Sequence, residues 1–221
     1  MNKSTKSWSW KDTLIIIIAL VPVVIGAAMY NQLPEQMSSH FDMNGNANGF
    51  MSKPTFFIFM TLLNVFLVLL LKVAPKLDPK RANYEKFLDV YTLLRFVIVI
   101  FLSGIFVMVL LENLGYGVSI RTGTFLSLGG LWIVMGNYLG RIRHNYMLGI
   151  RTPWTLASEE VWRKTHRMAG PVWVICGIVM IFGSFFSGAS FSYLFLITIG
   201  ISVVLPLIYS YLGFKKLGQG K

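Results

Sequence analysis

The sequence predicts an all-α polytopic membrane protein: six transmembrane helices, both termini cytoplasmic, and a cytoplasmic amphipathic helix between spans four and five. Three observations predict it. Only 13% of the 221 residues are charged and 55% are hydrophobic, with a mean hydropathy of +0.63, whereas soluble chains carry about a quarter charged residues. The apolar residues gather in runs matched to a bilayer, whose core of about 30 Å takes roughly 20 helical residues. The basic residues fall almost wholly on alternate connections between those runs.

The first run, Thr13 to Tyr30, follows Lys3, Lys6 and Lys11 as a secretory signal would. It passes into "AAMYNQLPEQ" without a small-residue cleavage site, and its 18 uncharged residues exceed an ordinary signal core. It reads as a retained span in which Pro22 removes one backbone donor. Further spans centre on 55–74, 92–112 and 123–140. Met168 to Phe214 holds 47 uncharged residues, about 70 Å as one helix, so it must fold back. The turn signal is "SGAS", Ser187 to Ser190. It divides the region into spans 171–187 and 191–212, the latter with Pro206. The whole forms a single membrane domain: an N-terminal helical hairpin at 12–74 with an outer loop at 31–54, then a four-helix region at 90–214 with a loop at 141–170.

The N-terminus, the connections after spans two and four, and the tail hold all 20 Lys and Arg residues except Lys53 and Arg121. The positive-inside rule therefore puts both termini in the cytoplasm. It also accounts for the net charge of +11 without direct nucleic-acid binding. No ionisable residue falls near the middle of a span, which argues against an ion-coupled transporter. Asn64 and Asn137 are expected to make interhelical hydrogen bonds. The lone Cys176 allows neither an intrachain disulfide nor a cysteine metal cluster and reads as a packing residue.

The outer loop reads "NQLPEQMSSHFDMNGNANGFMSKP", residues 31 to 54. Asp42, Asn44, Asn46 and Asn48 alternate as in a calcium loop, but the sixth and twelfth positions are Ala47 and Lys53, where that loop needs glycine and a bidentate glutamate. One carboxylate remains, and His40 beside it is a single imidazole, so no metal or cofactor is expected. Asp42 is placed to orient His40. A structured turn at the membrane surface follows, with Glu35, His40 and Asp42 as the side chains to meet an external ligand.

The inner loop carries "NYMLGIRTPWTLASEEVWRKTHRMAG", Asn145 to Gly170. Thr152-Pro153 suits an N-cap and first helical position, and Gly170-Pro171 a break before span five. Steps of 100° put Ala157, Ser158, Val161, Trp162, Thr165, Met168 and Ala169 on one face. Glu159, Glu160, Arg163, Lys164, His166 and Arg167 fall on the other, with favourable i, i+4 pairs Glu159–Arg163 and Glu160–Lys164. Such a helix lies at the membrane interface or against the cytoplasmic ends of the bundle, with Trp at headgroup level. Two readings of the stretch stay open: an anchor in which Arg151 holds lipid phosphates or carbonyls at helix ends, Gly149 turns the chain and Thr152 caps the helix, or a surface that binds a cytoplasmic protein or transmits a change from outside.

These residues resemble the signature region of the SdpI family of bacterial membrane proteins, through the string "GIRTPWTL" followed by V-W and T-H-R. The outer segment "LPEQMSSHFDMNGNANGFMSKP" is similar to the small membrane domain of unknown function that commonly precedes that region. The resemblance implies a six-span protein of the bacterial plasma membrane. For the family's namesake it also implies protection from a secreted peptide toxin and recruitment of a cytoplasmic transcriptional repressor. The matching positions are Asn145, Gly149, Arg151, Thr152, Pro153, Trp154, Trp162, His166 and Arg167. The expected function is non-enzymatic immunity and signalling, with the outer loop engaging a peptide toxin and the inner loop transmitting. The alternative is an enzyme or binding protein for membrane lipids or cell-wall intermediates, with a transporter ranked last. No Ser/His/Asp or metal-ligand spacing supports chemistry.

Overall fold

The computed structural model describes residues 8–186 and 189–219, with side chains placed for all of these except 189–191 and 219. Lys3, Lys6, Lys221 and the Ser187-Gly188 part of the expected turn lie outside the described residues.

Among the described residues, seven α-helices follow one another: α1 (Trp10–Ala28), α2 (Lys53–Leu77), α3 (Leu88–Asn113), α4 (Ile120–Leu139), the single-turn α5 (Pro153–Ala157), α6 (Glu159–Gly183) and α7 (Ala189–Gln219). Five segments among the described residues are long and apolar enough to cross a membrane: α1, α2, α3 with the 3-10 turn at Arg81–Phe87 that leads into it, α6 and most of α7. By the length and composition of these helices the protein is a multi-pass membrane protein. α4 is 20 residues long but falls outside that group, because glycine and polar residues dilute its apolar character.

The molecule is not purely helical. The outer loop folds as an antiparallel hairpin of β1 (Gln36–Phe41) and β2 (Ala47–Ser52), with a bulge around Ser39 and Met37 paired to Met51. Gly45 makes the turn at φ +89°, a conformation that glycine adopts freely. Met37 of β1, with Leu33 just before the strand, packs into a core with Phe56, Phe106 and Leu110. Asn113 at the end of α3 treats Ser38 as a neighbouring strand would, donating to its carbonyl at 3.1 Å and accepting from its N–H at 2.8 Å.

α1, α2 and α3 pack as one group, α3 joins α4, and α4 and α6 run antiparallel in close contact before α6 meets α7. The α4–α6 approach is set by glycine. A Cβ on Gly136 would meet the Gly170 carbonyl at 2.7 Å, and one on Gly177 the Gly129 carbonyl at 2.6 Å. Without a hydrophobic driving force between helices in lipid, such backbone contact supplies the packing.

Three expectations are corrected here. α6 continues through Gly170-Pro171, so the amphipathic segment is the first half of span five and not a separate interfacial helix. Gly170 serves close packing against α4, and an interior proline is tolerated in a packed membrane helix. Asn64 and Asn137 donate to Met60 and Ile133, one turn back in their own helices, instead of bridging helices. Of the two surface pairs only Glu160–Lys164 forms, at 2.6 Å.

Candidate functional site

At the end of the molecule that carries the basic connections, residues 141 to 158 fold into a compact knot. Asn145 is fully buried. Its Oδ1 accepts from the N–H groups of Met147 and Leu148 at 2.9 and 2.7 Å, and its Nδ2 donates to the Arg143 carbonyl at 2.8 Å. A buried amide so saturated holds the backbone in one shape. Gly149 then passes at φ +113° directly over the stacked rings of Trp162 and His166. A Cβ there would lie 2.5 Å from His166 Nε2, so glycine is required twice over, by conformation and by space.

His166 is completely buried. It accepts the Ile150 N–H on Nε2 at 2.9 Å, while Nδ1 lies 2.9 Å from the Trp162 carbonyl. Since Nε2 accepts, Nδ1 carries the proton. The wheel placed His166 on the polar face; the loop folds over that side of the helix and encloses it. Trp162, 1% exposed, donates Nε1 to the Ile142 carbonyl at 2.9 Å. Thr152 caps α5 through Thr155 and reaches Ser210 of α7 at 3.0 Å. Half-buried Trp154 packs on Tyr211. Of the signature residues, only Arg151, Pro153 and Arg167 are exposed, and Arg151 donates to the Tyr146 carbonyl at 2.8 Å.

A second group, which the sequence did not single out, closes the knot from the connection between α2 and α3. Asp78, 2% exposed, accepts on Oδ2 from the Tyr84 hydroxyl at 3.0 Å and the Tyr146 N–H at 2.8 Å. Lys80 Nζ lies 2.8 Å from His144 Nδ1, and Asn83 donates to the His144 carbonyl at 2.8 Å. The available signal was an aspartate followed by proline in a lysine-rich loop, and that is weak without knowledge of what folds against it. Burial, and then the Lys80 charge, hold the His144 pKa below its ordinary value. A cleft of about 280 Å³ lies between Gly140–His144 and the first turn of α6, with exposed Arg143, Arg163, Glu159 and Glu160 around it.

A second missed cluster ties the first three helices together near the same end. Buried Asp12 pairs with Lys72 at 2.7 Å and Arg95 at 2.8 Å.

At the opposite end the three outer candidates are spread along the hairpin, about 20 Å from base to turn at strand rise. Exposed Glu35 pairs at 2.8 Å with the buried Lys53. Asp42 closes the turn, and the Asn46 N–H bonded to it at 2.9 Å is the main reason its carboxyl stays below its ordinary pKa. Asp42 therefore does not orient His40, whose Nδ1 lies 2.5 Å from Asn48 Oδ1 instead. Among the described residues, no three His, Cys, Asp or Glu side chains gather to hold a metal ion.

The SdpI/YfhL protein family matches residues 141–210, and a domain of unknown function (DUF1648) matches residues 17–64. Over 212 residues the chain is 30% identical to the "Immunity protein SdpI" of Bacillus subtilis (strain 168), covering 96% of this chain and 99% of that protein. No solved structure matches. The first matched region contains the inner knot with α6 and most of α7, and the second contains the outer hairpin with most of α1 and the first half of α2.

Proposed function

The chain belongs to the SdpI/YfhL protein family, and from that membership we propose that it protects its cell against a secreted antimicrobial peptide and signals the encounter to a cytoplasmic transcriptional repressor. The similarity to an immunity protein over nearly the whole of both chains carries this reading, since it spans the hairpin and the signature knot alike. α4 serves as the sixth span, because it lies antiparallel along α6, itself a spanning helix, with two glycine contacts seven residues apart. Six spans then set the hairpin outside the cell and the basic knot inside it.

In this reading the hairpin, with Glu35, His40 and Asp42, faces the peptide. The exposed Arg151 and Arg167 of the knot face the repressor, while the buried signature residues Asn145, Gly149, Thr152, Trp162 and His166 hold the surface in shape. No bond is made or broken.

Survival is the direct measurement. A Bacillus strain lacking its own immunity protein is made to express the chain and is exposed to peptides secreted by its own and related strains. Survival above the empty-vector control is expected; unchanged killing by every peptide overturns the proposal. In the second arm, Arg151→Ala is expected to release the repressor from the membrane fraction while the protein stays inserted. Trp162→Ala does not separate the two, since its ring is part of the core.

A further inference from the structure

α2 is gripped by a buried charged side chain at each end. At the hairpin, Lys53 is its first residue and is 6% exposed. The Lys53 ammonium donates to the carbonyls of Tyr30 and Leu33 at 3.3 and 3.0 Å as well as pairing with Glu35. Its own N–H donates to the Glu35 carbonyl at 2.9 Å. At the other end, about 37 Å away for 25 residues, Asp78 caps the helix through its N–H to the Ala74 carbonyl at 3.1 Å. Its carboxylate also accepts the Lys80 N–H at 2.7 Å, besides Tyr84 and Tyr146.

Between those ends, Ile58, Phe59, Leu62, Phe66 and Leu69 are exposed on the lipid side, where nothing fixes the helix along its axis, while the Lys72–Asp12 pair at 2.7 Å holds it to α1 close to the Asp78 end. The helix itself is stiff, because each turn is closed by its own hydrogen bonds. Even its proline strengthens the far anchor. Pro75 leaves the Leu71 carbonyl without its helical donor, and the Tyr91 hydroxyl takes that place at 2.5 Å.

We infer that α2 couples the hairpin to the signature knot, and that Asp78 is the positioning residue through which it does so. A shift or rotation of α2 that begins at Lys53 arrives at Asp78. From there it reaches the Tyr146 N–H directly, and Asn145 through the Tyr84 hydroxyl, which lies 3.0 Å from Asp78 and 3.3 Å from Asn145 Oδ1. The amides of residues 146–148 all hang on Asp78 or Asn145. The coupling rests on the two-ended function above for its biological meaning, but its test needs neither toxin nor repressor.

Amide hydrogen exchange of the full chain in lipid nanodiscs reads the coupling. Lys53→Met is expected to speed exchange at residues 146–148 roughly tenfold, as does Asp78→Asn, while the glycine-paired stretch 129–136 of α4 is unchanged. The double variant is expected to exchange no faster there than Asp78→Asn alone. Acceleration confined to residues 30–56, additive effects in the double variant, or loosening of 129–136 as well each overturn the inference. Should Lys53→Met not fold, Glu35→Gln replaces it, with a several-fold effect at 146–148 expected and no effect there overturning. A protein that couples in this way yet leaves cells unprotected keeps the coupling and loses the immunity reading.

Discussion

The contact between Lys80 and His144 requires a neutral imidazole. An ammonium group only donates, so His144 Nδ1 accepts and the ring proton sits on Nε2. The ring is enclosed beside Trp162 and Tyr146. Burial comes first and the Lys80 charge second in lowering its pKa, against smaller opposing effects of Glu159, the Leu156 backbone and Asp78. In the unfolded chain the ring protonates near its ordinary value of about 6.5; in the folded chain it does so only at lower pH. Its contribution to the closed knot is therefore complete above about pH 6.5 and is lost as the pH falls toward the lowered folded value. Amide protection across residues 143–148, after division by the intrinsic exchange rate at each pH, is expected to fall between pH 7.5 and 5.5, and His144→Gln is expected to reduce that pH dependence, the remainder coming from buried His166. An unchanged wild-type profile contradicts it. Little of this was legible in advance: helical spacing assigns a face to His166 but cannot show a loop closing over it. Gly149, by contrast, was recognisable as a turn, though not as the residue that clears His166.

At the scale of elements, α4 and α6 form the pair whose geometry is most constrained. Gly129 and Gly136 on one helix, and Gly170 and Gly177 on the other, repeat every seven residues, so each pair falls on one face after two turns. A Cβ on Gly136 would meet backbone on α6, the Gly170 carbonyl at 2.7 Å and the Val174 nitrogen at 2.9 Å, and backbone cannot swing aside. Gly130 has nothing within 4 Å of that position. Gly136→Ala is thus expected to cost roughly 1–3 kcal/mol, seen as a lower unfolding midpoint in detergent. Gly130→Ala is expected to be neutral or stabilising by up to about 1 kcal/mol. Equal effects would show that the close approach is not what fixes the pair. The seven-residue repeat stood in the sequence throughout, but Gly170-Pro171 read more readily as a helix end. What separates the two meanings is a partner glycine 34 residues earlier in the chain, at Gly136, and no local pattern supplies it. The hairpin was hidden for a related reason. Asn and Gly announce its turn, but the strands are short and one edge is completed by a side chain, Asn113, from α3.

For the whole molecule, hydropathy carried most of the helical architecture. The apolar runs coincide with α1, α2, α3, α6 and α7, and α4 occupies the remaining one. What they could not carry was how the two halves meet, because Asp12, Lys72, Arg95 and Asp78 are polar residues at helix ends that become informative only once paired. The arrangement divides exposed positions between two opposite ends, and that division is measurable in intact cells. Met43 stands exposed at the hairpin turn and Arg163 exposed beside the knot, while the one native thiol, Cys176, is buried. A membrane-impermeant maleimide has little background to contend with, because a buried thiol in an apolar setting is also a poor nucleophile. Met43→Cys is expected to label in intact cells, and Arg163→Cys only after permeabilisation. Labelling of both from outside, or of Arg163→Cys alone, would reverse the orientation or break the six-span count. With either result the hairpin could no longer face a secreted peptide while the knot faces the cytoplasm.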